Sequence, residues 1–142
     1  MWGANDVDSD NNELTQVDLG GISGLEVLYV HNNNLGALDV SGCRALRKLN
    51  ADNNELQALD LKGKPSLVLL SVRGNKLRSI DMSGCGSLEE VHADGNELAT
   101  VEMGIQPLLT CSLSMATNWL RSTFHTVARS KNCMPQAMSW SR

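Results

Sequence analysis

Asparagine recurs every 21 residues through most of this 142-residue chain. A leucine follows each of these asparagines by two residues, and a second leucine series from Leu25 to Leu88 keeps the same period. The asparagines are Asn12, Asn33, Asn54, Asn75 and Asn96. A fixed period of this size indicates a solenoid, in which each repeat forms one turn and stacks on the next.

Each repeat contains two short stretches that alternate apolar and polar residues. The copies read LEVLYVHNNNLGALDVSGCRA, LRKLNADNNELQALDLKGKPS, LVLLSVRGNKLRSIDMSGCGS and LEEVHADGNELATVEMG. The segments LYV, LNA, LSV and VHA alternate like strands, so one strand per repeat should stack into a parallel sheet. The second cluster, which begins with Leu38 and Val40, also alternates. The returning wall is therefore predicted to be extended, with no room for a long helix.

The shared pattern, LxxLxLxxNxLxxLDLSGxxx, resembles the leucine-rich repeat family. The likeness is to its short bacterial class of about 21 residues, which includes internalin-like and related cell-surface proteins. It covers residues 12–103 and implies a right-handed solenoid with a parallel sheet on the concave face, an extended or irregular convex wall, and few or no helices. Residues 1–11 form an N-terminal edge, partly disordered or a degenerate repeat, and 104–142 a tail without repeats.

The recurring asparagine is polar but lies among leucines. Its amide can be tolerated there only if its donors and its carbonyl oxygen bond to main-chain groups of its own and neighbouring turns. We therefore interpret all five asparagines as a structural ladder, comprising Asn12, Asn33, Asn54, Asn75 and Asn96.

Outward positions of the strands form two columns across the predicted concave sheet. These are Tyr29, Asn50, Ser71 and His92, then His31, Asp52, Arg73 and Asp94. Flanking positions add Val27, Lys48, Leu69 and Glu90. These residues vary where the core does not, which is typical of a recognition surface in this family. The alternative is a chain of cross-strand ion pairs among Asp52, Arg73 and Asp94 on a solvated sheet.

An acidic residue recurs on the opposite wall of the predicted solenoid. The column comprises Asp18, Asp39, Asp60, Asp81 and Glu102. Like charges about 5 Å apart repel unless they are hydrogen-bonded or hydrated. We expect each carboxylate to accept from amides of the following turn, as aspartates commonly do. Calcium bound along the column is the alternative.

The chemistry-bearing residues do not form a catalytic set. The chain has no glycine-rich phosphate loop, no zinc-like cysteine spacing, and no serine or cysteine convincingly paired with a histidine. His31 and His92 lie three repeats apart, about 15 Å by strand spacing, so no shared metal site is expected. Cys43 and Cys85 lie about 9 to 10 Å apart by the same spacing, too far for a disulfide. We expect both to pack as small apolar residues, and we expect no enzyme activity and no cofactor.

Charge and hydropathy restrict the partners further. Residues 1–103 contain 16 acidic and 8 basic residues, a net charge of −8 by subtraction, so phosphate should be repelled and nucleic acid is not expected. No stretch reaches the length of a membrane span, and the start MWGANDVDSD is not that of a signal peptide. The resemblance favours a secreted or surface protein, whereas the missing signal favours a cytoplasmic protein or an internal piece of a longer one.

The tail differs in composition from the repeats. Residues 104–142 contain no Asp or Glu, although the preceding 103 residues hold all 16. A lag of 21 nevertheless persists between Ala116 and Ala137, Trp119 and Trp140, and Arg121 and Arg142. The codons of Asn118 and Trp119 force a leucine in a shifted frame, 21 positions after Leu98. This pattern favours repeat DNA translated out of frame from near Gly104, with a poorly ordered product.

A genuine carboxy-terminal cap is the alternative for the tail, since Leu120, Phe124 and Val127 have helical spacing and a solenoid needs its last apolar turn covered. For the whole chain, the sequence predicts a non-enzymatic module that binds a protein ligand through the concave face. The rival interpretation is a set of structural spacer repeats in a larger bacterial surface protein, with no ligand of their own.

Overall fold

The structure is a computed structural model that describes residues 5–103 and 110–112. It consists of eight short strands, and no helix occurs within those residues. The strands are β1 (Asp6–Asp8), β2 (Val27–Tyr29), β3 (Lys48–Asn50), β4 (Leu69–Ser71), β5 (Ser79–Met82), β6 (Glu90–His92), β7 (Thr100–Met103) and β8 (Thr110–Ser112). Most of the tail discussed above lies outside the described residues, apart from β8.

The strands form two parallel sheets on opposite walls. The larger sheet has the order β1-β2-β3-β4-β6-β8, and the smaller one pairs β5 with β7. From β1 to β6 each residue pairs with the residue 21 positions later, as Leu28 does with Leu49. The last pairing is one residue shorter, with Val91 opposite Cys111. This architecture confirms the parallel-strand solenoid that the period predicts.

The core lies between the two walls and repeats with the same period. Its central column is fully buried and comprises Leu28, Leu49, Leu70 and Val91. Each fully buried side chain of this kind contributes about 1.5 to 3 kcal/mol. The apolar side chains of the first turn are more exposed than those of later turns. Val7, Leu14 and Val17 are only partly buried, and Ile22 is 47% exposed. Each turn is therefore buried mainly by its neighbours.

Each buried asparagine joins two turns by hydrogen bonds to the main chain. The Asn54 Nδ2 atom donates to the carbonyl oxygens of Val30 at 3.0 Å and Ala51 at 3.1 Å. Its Oδ1 atom accepts the Leu35 N–H at 3.1 Å. Asn12 lies at the edge instead, where it is exposed and donates to carbonyls of its own turn.

A second asparagine ladder lies beside the buried one on the surface. Asn11, Asn32 and Asn53 have positive φ angles of 55°, 54° and 53°. The Asn32 Nδ2 atom donates to Asn11 Oδ1 at 2.7 Å, and Asn53 Nδ2 donates to Asn32 Oδ1 at 2.8 Å. The next two turns place Gly74 and Gly95 there, with φ of 61° and 70°. The sequence analysis missed this ladder, although the doublets at 11/12, 32/33 and 53/54 carry its signal.

Substitutions of Gly74 test whether the surface ladder can be lengthened. A Cβ atom at Gly74 would lie 2.6 Å from Asn53 Oδ1 and would sit at a positive φ. We expect Gly74→Ala to lower the free energy of unfolding by about 1 to 2 kcal/mol, because left-handed backbone is costly without glycine. Gly74→Asn should cost less than half as much, since asparagine tolerates this conformation and its amide can donate to Asn53.

Urea unfolding followed by circular dichroism measures both variants of Gly74. Gly36→Ala is the matched control, because Gly36 lacks a positive φ and its Cβ would meet nothing within 4 Å. The interpretation fails if Gly74→Ala costs no more than Gly36→Ala, or if Gly74→Asn costs as much as Gly74→Ala.

Candidate functional site: the outer face of the larger sheet

Seven of the eight predicted recognition residues lie on one surface, which we call the sheet face: the outward side of the six-stranded sheet. Ser71 has the same register but is only 5% exposed. Strand register aligns the first predicted column, Tyr29, Asn50, Ser71 and His92. The residues two positions later form the second column, His31, Asp52, Arg73 and Asp94. Asp8 and Asp10 extend these two columns by one turn, because β1 pairs in register with β2. Neither residue was among those predicted from the sequence.

Hydrogen bonds between neighbouring turns hold the second column in place. The Asp52 Oδ1 atom accepts the Ser71 hydroxyl at 2.7 Å and the Arg73 main-chain N–H at 2.7 Å. The Arg73 Nε atom lies 3.5 Å from Asp94 Oδ2, an ion pair between neighbouring turns. The expected chain of ion pairs is thus replaced in part by a bond to the main chain.

The two histidines of the sheet face each contact a carboxylate. The Asp10 Oδ1 atom accepts the His31 main-chain N–H at 2.9 Å. The His31 Nδ1 atom lies 2.8 Å from the same oxygen, a contact that is an ion pair only when the imidazole is protonated. Burial raises the pKa of Asp10 above its ordinary 3.8, against the opposing effect of His31. His92 Nε2 lies 2.6 Å from Glu90 Oε1.

The acidic column on the opposite wall has a structural role in its turns. Each of its first four carboxylates accepts the N–H of the residue two positions later, at 2.8 to 2.9 Å. These four residues are Asp18, Asp39, Asp60 and Asp81. This confirms the expected bonds to turn amides for these four residues. The turn after Glu102 begins at residue 104, outside the described residues. Among residues 5–103 and 110–112, no three His, Cys, Asp or Glu side chains are grouped to hold a metal ion.

The turn bonds make part of the stability depend on pH. The pKa of Asp81 lies below its ordinary 3.8 because the Ser83 hydroxyl and main-chain N–H donate to it, at 2.6 and 2.9 Å. A lowered folded-state pKa stabilises the protein above pH 3.8, and this contribution is lost as the pH falls through the folded value. We expect the melting temperature of the wild type to fall more steeply than that of Asp81→Asn between pH 5 and pH 2.

Thermal melts across this pH range measure the difference between wild type and Asp81→Asn. Ser83→Ala is the companion variant, because it removes the hydroxyl donor but keeps the carboxylate, and its curve should lie between the other two. Parallel curves for all three proteins would contradict the assignment of this pH dependence to Asp81.

A lysine occupies the slot between the two repeat cysteines. Cys43 and Cys85 are buried thiols that form no disulfide, and Lys64, one repeat from each, is fully buried. The Lys64 Nζ atom lies 3.3 Å from the carbonyl oxygen of Lys62 and 3.5 Å from that of Ser41. Burial raises the pKa of Cys85 to about 11, and it also raises that of Cys43. The thiols therefore stay protonated at neutral pH, in keeping with the expectation that they pack as small apolar residues.

Comparison with known proteins identifies solved structures that this chain resembles. No family model matches the chain, and no curated protein matches it. Thirteen chains among the solved structures do match. One is described as "Functional domain of InlJ from Listeria monocytogenes includes a cysteine ladder", at 30% identity over 67% of this chain, with a TM-score of 0.65. The fold is a leucine-rich-repeat solenoid.

The leucine-rich-repeat solenoid described here corresponds to part of that neighbour, an internalin. This chain spans only about a fifth of it, 21%. The neighbour has a cysteine ladder, whereas here Lys64 separates Cys43 from Cys85 in one column. In the part of the chain that the structure describes, no helix is long and apolar enough to span a membrane.

Proposed function

We propose that this leucine-rich-repeat solenoid is a non-enzymatic binding module that recognises a protein ligand through the sheet face. The observation that carries the proposal is the contrast between the two sides of each strand. Inward positions repeat the same buried apolar residues, whereas outward positions differ in size, polarity and charge from turn to turn. A solenoid that served only as a scaffold would need the inward apolar pattern but not this variation at the outward positions.

The hydrogen bonds of the sheet face support binding by reducing its entropic cost. Asp52 bonds both Ser71 and Arg73, and Arg73 reaches Asp94, so several side chains are already held before a ligand arrives. Ordering a free side chain on binding costs about 0.5 to 1.5 kcal/mol. A preorganised surface avoids part of that cost, and the half-buried Tyr29 ring supplies an aromatic contact of the kind enriched in interfaces.

The charge of the repeats favours a protein over a nucleic acid as ligand. All 16 acidic residues and 8 of the 12 basic residues lie in residues 1–103, which leaves that part of the chain a net charge of −8 by subtraction. A phosphate backbone would be repelled by such a surface. The alternative is a spacer without a ligand, and it differs from the proposal in a measurable way.

Peptide selection separates the binding module from the spacer. The immobilised solenoid would be used to select binders from a displayed peptide library, and their affinities would be measured by titration. The test variant combines Tyr29→Ala, Asp52→Asn and Arg73→Ala. We expect the variant to lose about tenfold or more in affinity, equivalent to about 1.4 kcal/mol.

The matched control changes three polar residues away from the sheet face, with Glu55→Gln, Lys76→Ala and Arg78→Ala. All three lie in the loops that follow the buried asparagines. We expect selected peptides to bind this control as they bind the wild type. If no peptide is enriched, or if both triple variants bind equally well, the spacer interpretation is favoured and the proposal fails.

A further inference from the structure

The charge of the sheet face is distributed unevenly along the stack of strands. For each turn we count the outward residues of the strand, the residue just before the strand, and the residue two positions after its end. The turn of β1 contributes Asp6, Asp8 and Asp10, and no basic residue. The turn of β6 contributes Glu89, Glu90 and Asp94 with no Lys or Arg, although His92 contacts Glu90 and Asp94 reaches Arg73 of the turn before. Three acidic residues therefore lie on the turn of β1, the first strand of the sheet, and three on the turn of β6, the last strand before β8. We call these two groups the acidic ends.

The middle of the sheet face has the opposite balance. The turns of β2, β3 and β4 contribute two acidic residues, Glu26 and Asp52, and three basic ones, Arg47, Lys48 and Arg73. The apolar residues of the sheet face also lie there, as half-buried side chains. They are Val27, Tyr29, Val68 and Leu69. The surface is thus an apolar centre with a slight positive charge, between two acidic ends.

The spacing of the two acidic ends defines the length of a matching ligand. β1 and β6 are separated by four strand intervals, because the sheet order is β1-β2-β3-β4-β6. At about 4.8 Å per interval, the acidic ends lie about 19 Å apart. An extended peptide rises about 3.3 Å per residue, so about six residues bridge the two ends.

We propose that the ligand of the sheet face is a protein segment that lies across the strands, with an apolar anchor at its centre and Lys or Arg groups on both sides. The anchor contacts the strip around Tyr29 and Leu69, and the cationic groups meet the acidic ends. An apolar centre within a charged rim is the usual anatomy of a protein interface. This inference rests on the proposed function and specifies the chemistry of its ligand.

Opposite charge at both ends also fixes the register of the ligand on the sheet face. A segment with cationic groups at one end only can satisfy either acidic end, but not both together. Complementary charges steer encounter and suppress wrong partners more than they add raw affinity. We therefore expect the arrangement of charge along the ligand to matter as well as its total.

Synthetic peptides of matched composition test the arrangement directly. The main probe is a fluorescent peptide of about eight residues with two arginines at each end and a central leucine, which separates the arginine pairs by about 20 Å when extended. Three comparison peptides have glutamates in place of the arginines, all four arginines at one end, or glycine in place of leucine. Fluorescence anisotropy at low and high salt gives each dissociation constant. We expect the main probe to bind about tenfold tighter than any comparison peptide.

Charge-removing variants of the two acidic ends identify the contacts. One variant combines Asp6→Asn with Asp8→Asn, and the other combines Glu89→Gln with Glu90→Gln. Each should weaken the main probe about five- to tenfold and reduce the salt dependence of its binding. The control, Glu13→Gln with Glu97→Gln, removes the same charge from exposed loop positions outside the sheet face and should bind as the wild type does. Circular dichroism confirms that all variants fold.

The outcomes separate this inference from the proposed function. If glutamate-ended peptides bind as tightly as the main probe, and the Tyr29/Asp52/Arg73 variant abolishes both, then the sheet face binds protein segments but the assigned charge is wrong. If the main probe binds equally to all variants, including that triple variant, both the inference and the site of the proposed function fail. If no arginine-ended peptide binds at millimolar concentration, the inference is overturned.

Discussion

Asn54→Ala is expected to lower the free energy of unfolding by about 3 to 5 kcal/mol, because several buried main-chain groups lose their partner together. The Asn54 amide donates to carbonyls of Val30 and Ala51 and accepts the N–H of Leu35. Alanine can replace none of these bonds, and the site is too buried for water to replace them freely. Each unsatisfied buried group costs about 1 to 3 kcal/mol.

Asn12→Ala is the matched control for Asn54→Ala. Asn12 occupies the same slot of its repeat but is exposed, so water can replace the bonds that it loses. Its substitution should cost less than about 1 kcal/mol. Urea unfolding of the three proteins measures the difference. Equal losses for the two variants would mean that the asparagine acts through its own turn alone and does not join neighbouring turns.

Lys64→Met is expected to raise the free energy of unfolding by about 1 to 3 kcal/mol, since it replaces a buried charge with an apolar side chain of similar length. Lys64 is fully buried, and its Nζ atom lies 3.3 and 3.5 Å from carbonyl oxygens of Lys62 and Ser41. Its charge also contributes a minor part of the lowered pKa of Asp39, whose main cause is the bonds from Ser41. Its neighbours in the same column, Cys43 and Cys85, are buried and uncharged at neutral pH. The charged group therefore lies in a position where the fold otherwise buries small apolar residues.

Lys62→Met is the control for this substitution, because Lys62 is exposed two residues away in the same turn. It should change the free energy of unfolding by less than about 0.5 kcal/mol. Thermal and urea unfolding of the two variants measure both effects. If Lys64→Met is destabilised, the ammonium contributes more through its two carbonyl bonds than its burial costs, and the account of this column is wrong.

The sequence predicts the fold because one period determines both pairing and burial. Leu28, Leu49 and Leu70 recur at that period, so any solenoid that buries one of them buries the others in the same column. The acidic turns were predictable for the same reason, since Asp39 and Asp81 share a position and a following serine. A repeated local pattern needs no knowledge of distant contacts.

The features that sequence analysis missed are those in which one turn departs from its neighbours. Lys64 aligns with Cys43 and Cys85, but the register alone does not reveal that a lysine would be buried there rather than turned toward solvent. The surface ladder depends on positive φ angles at Asn32 and its equivalents, which the sequence indicates only through its asparagine doublets. Both depend on local backbone geometry.

The sheet face was predictable in position but not in its internal bonds. Strand alternation identified Asp52, Arg73 and Asp94 as outward residues, and their charges suggested a continuous series of ion pairs. The structure bonds Asp52 to Ser71 and to the main chain of Arg73 instead. A carboxylate has several acceptor sites, and the choice among nearby donors depends on distances that only the stacked turns set.

Chemical-shift mapping tests the central claim most directly, namely that the sheet face is a binding site. A peptide selected on the solenoid would be titrated into nitrogen-15-labelled protein while the main-chain amide signals are followed by NMR. We predict that the largest shifts fall on the main-chain amides of residues 29–31, 50–52 and 71–73, which carry the two columns of the sheet face at the ends of β2, β3 and β4. Shifts confined to the acidic turns that follow Asp39 and Asp60, or a titration without shifts, would contradict the account.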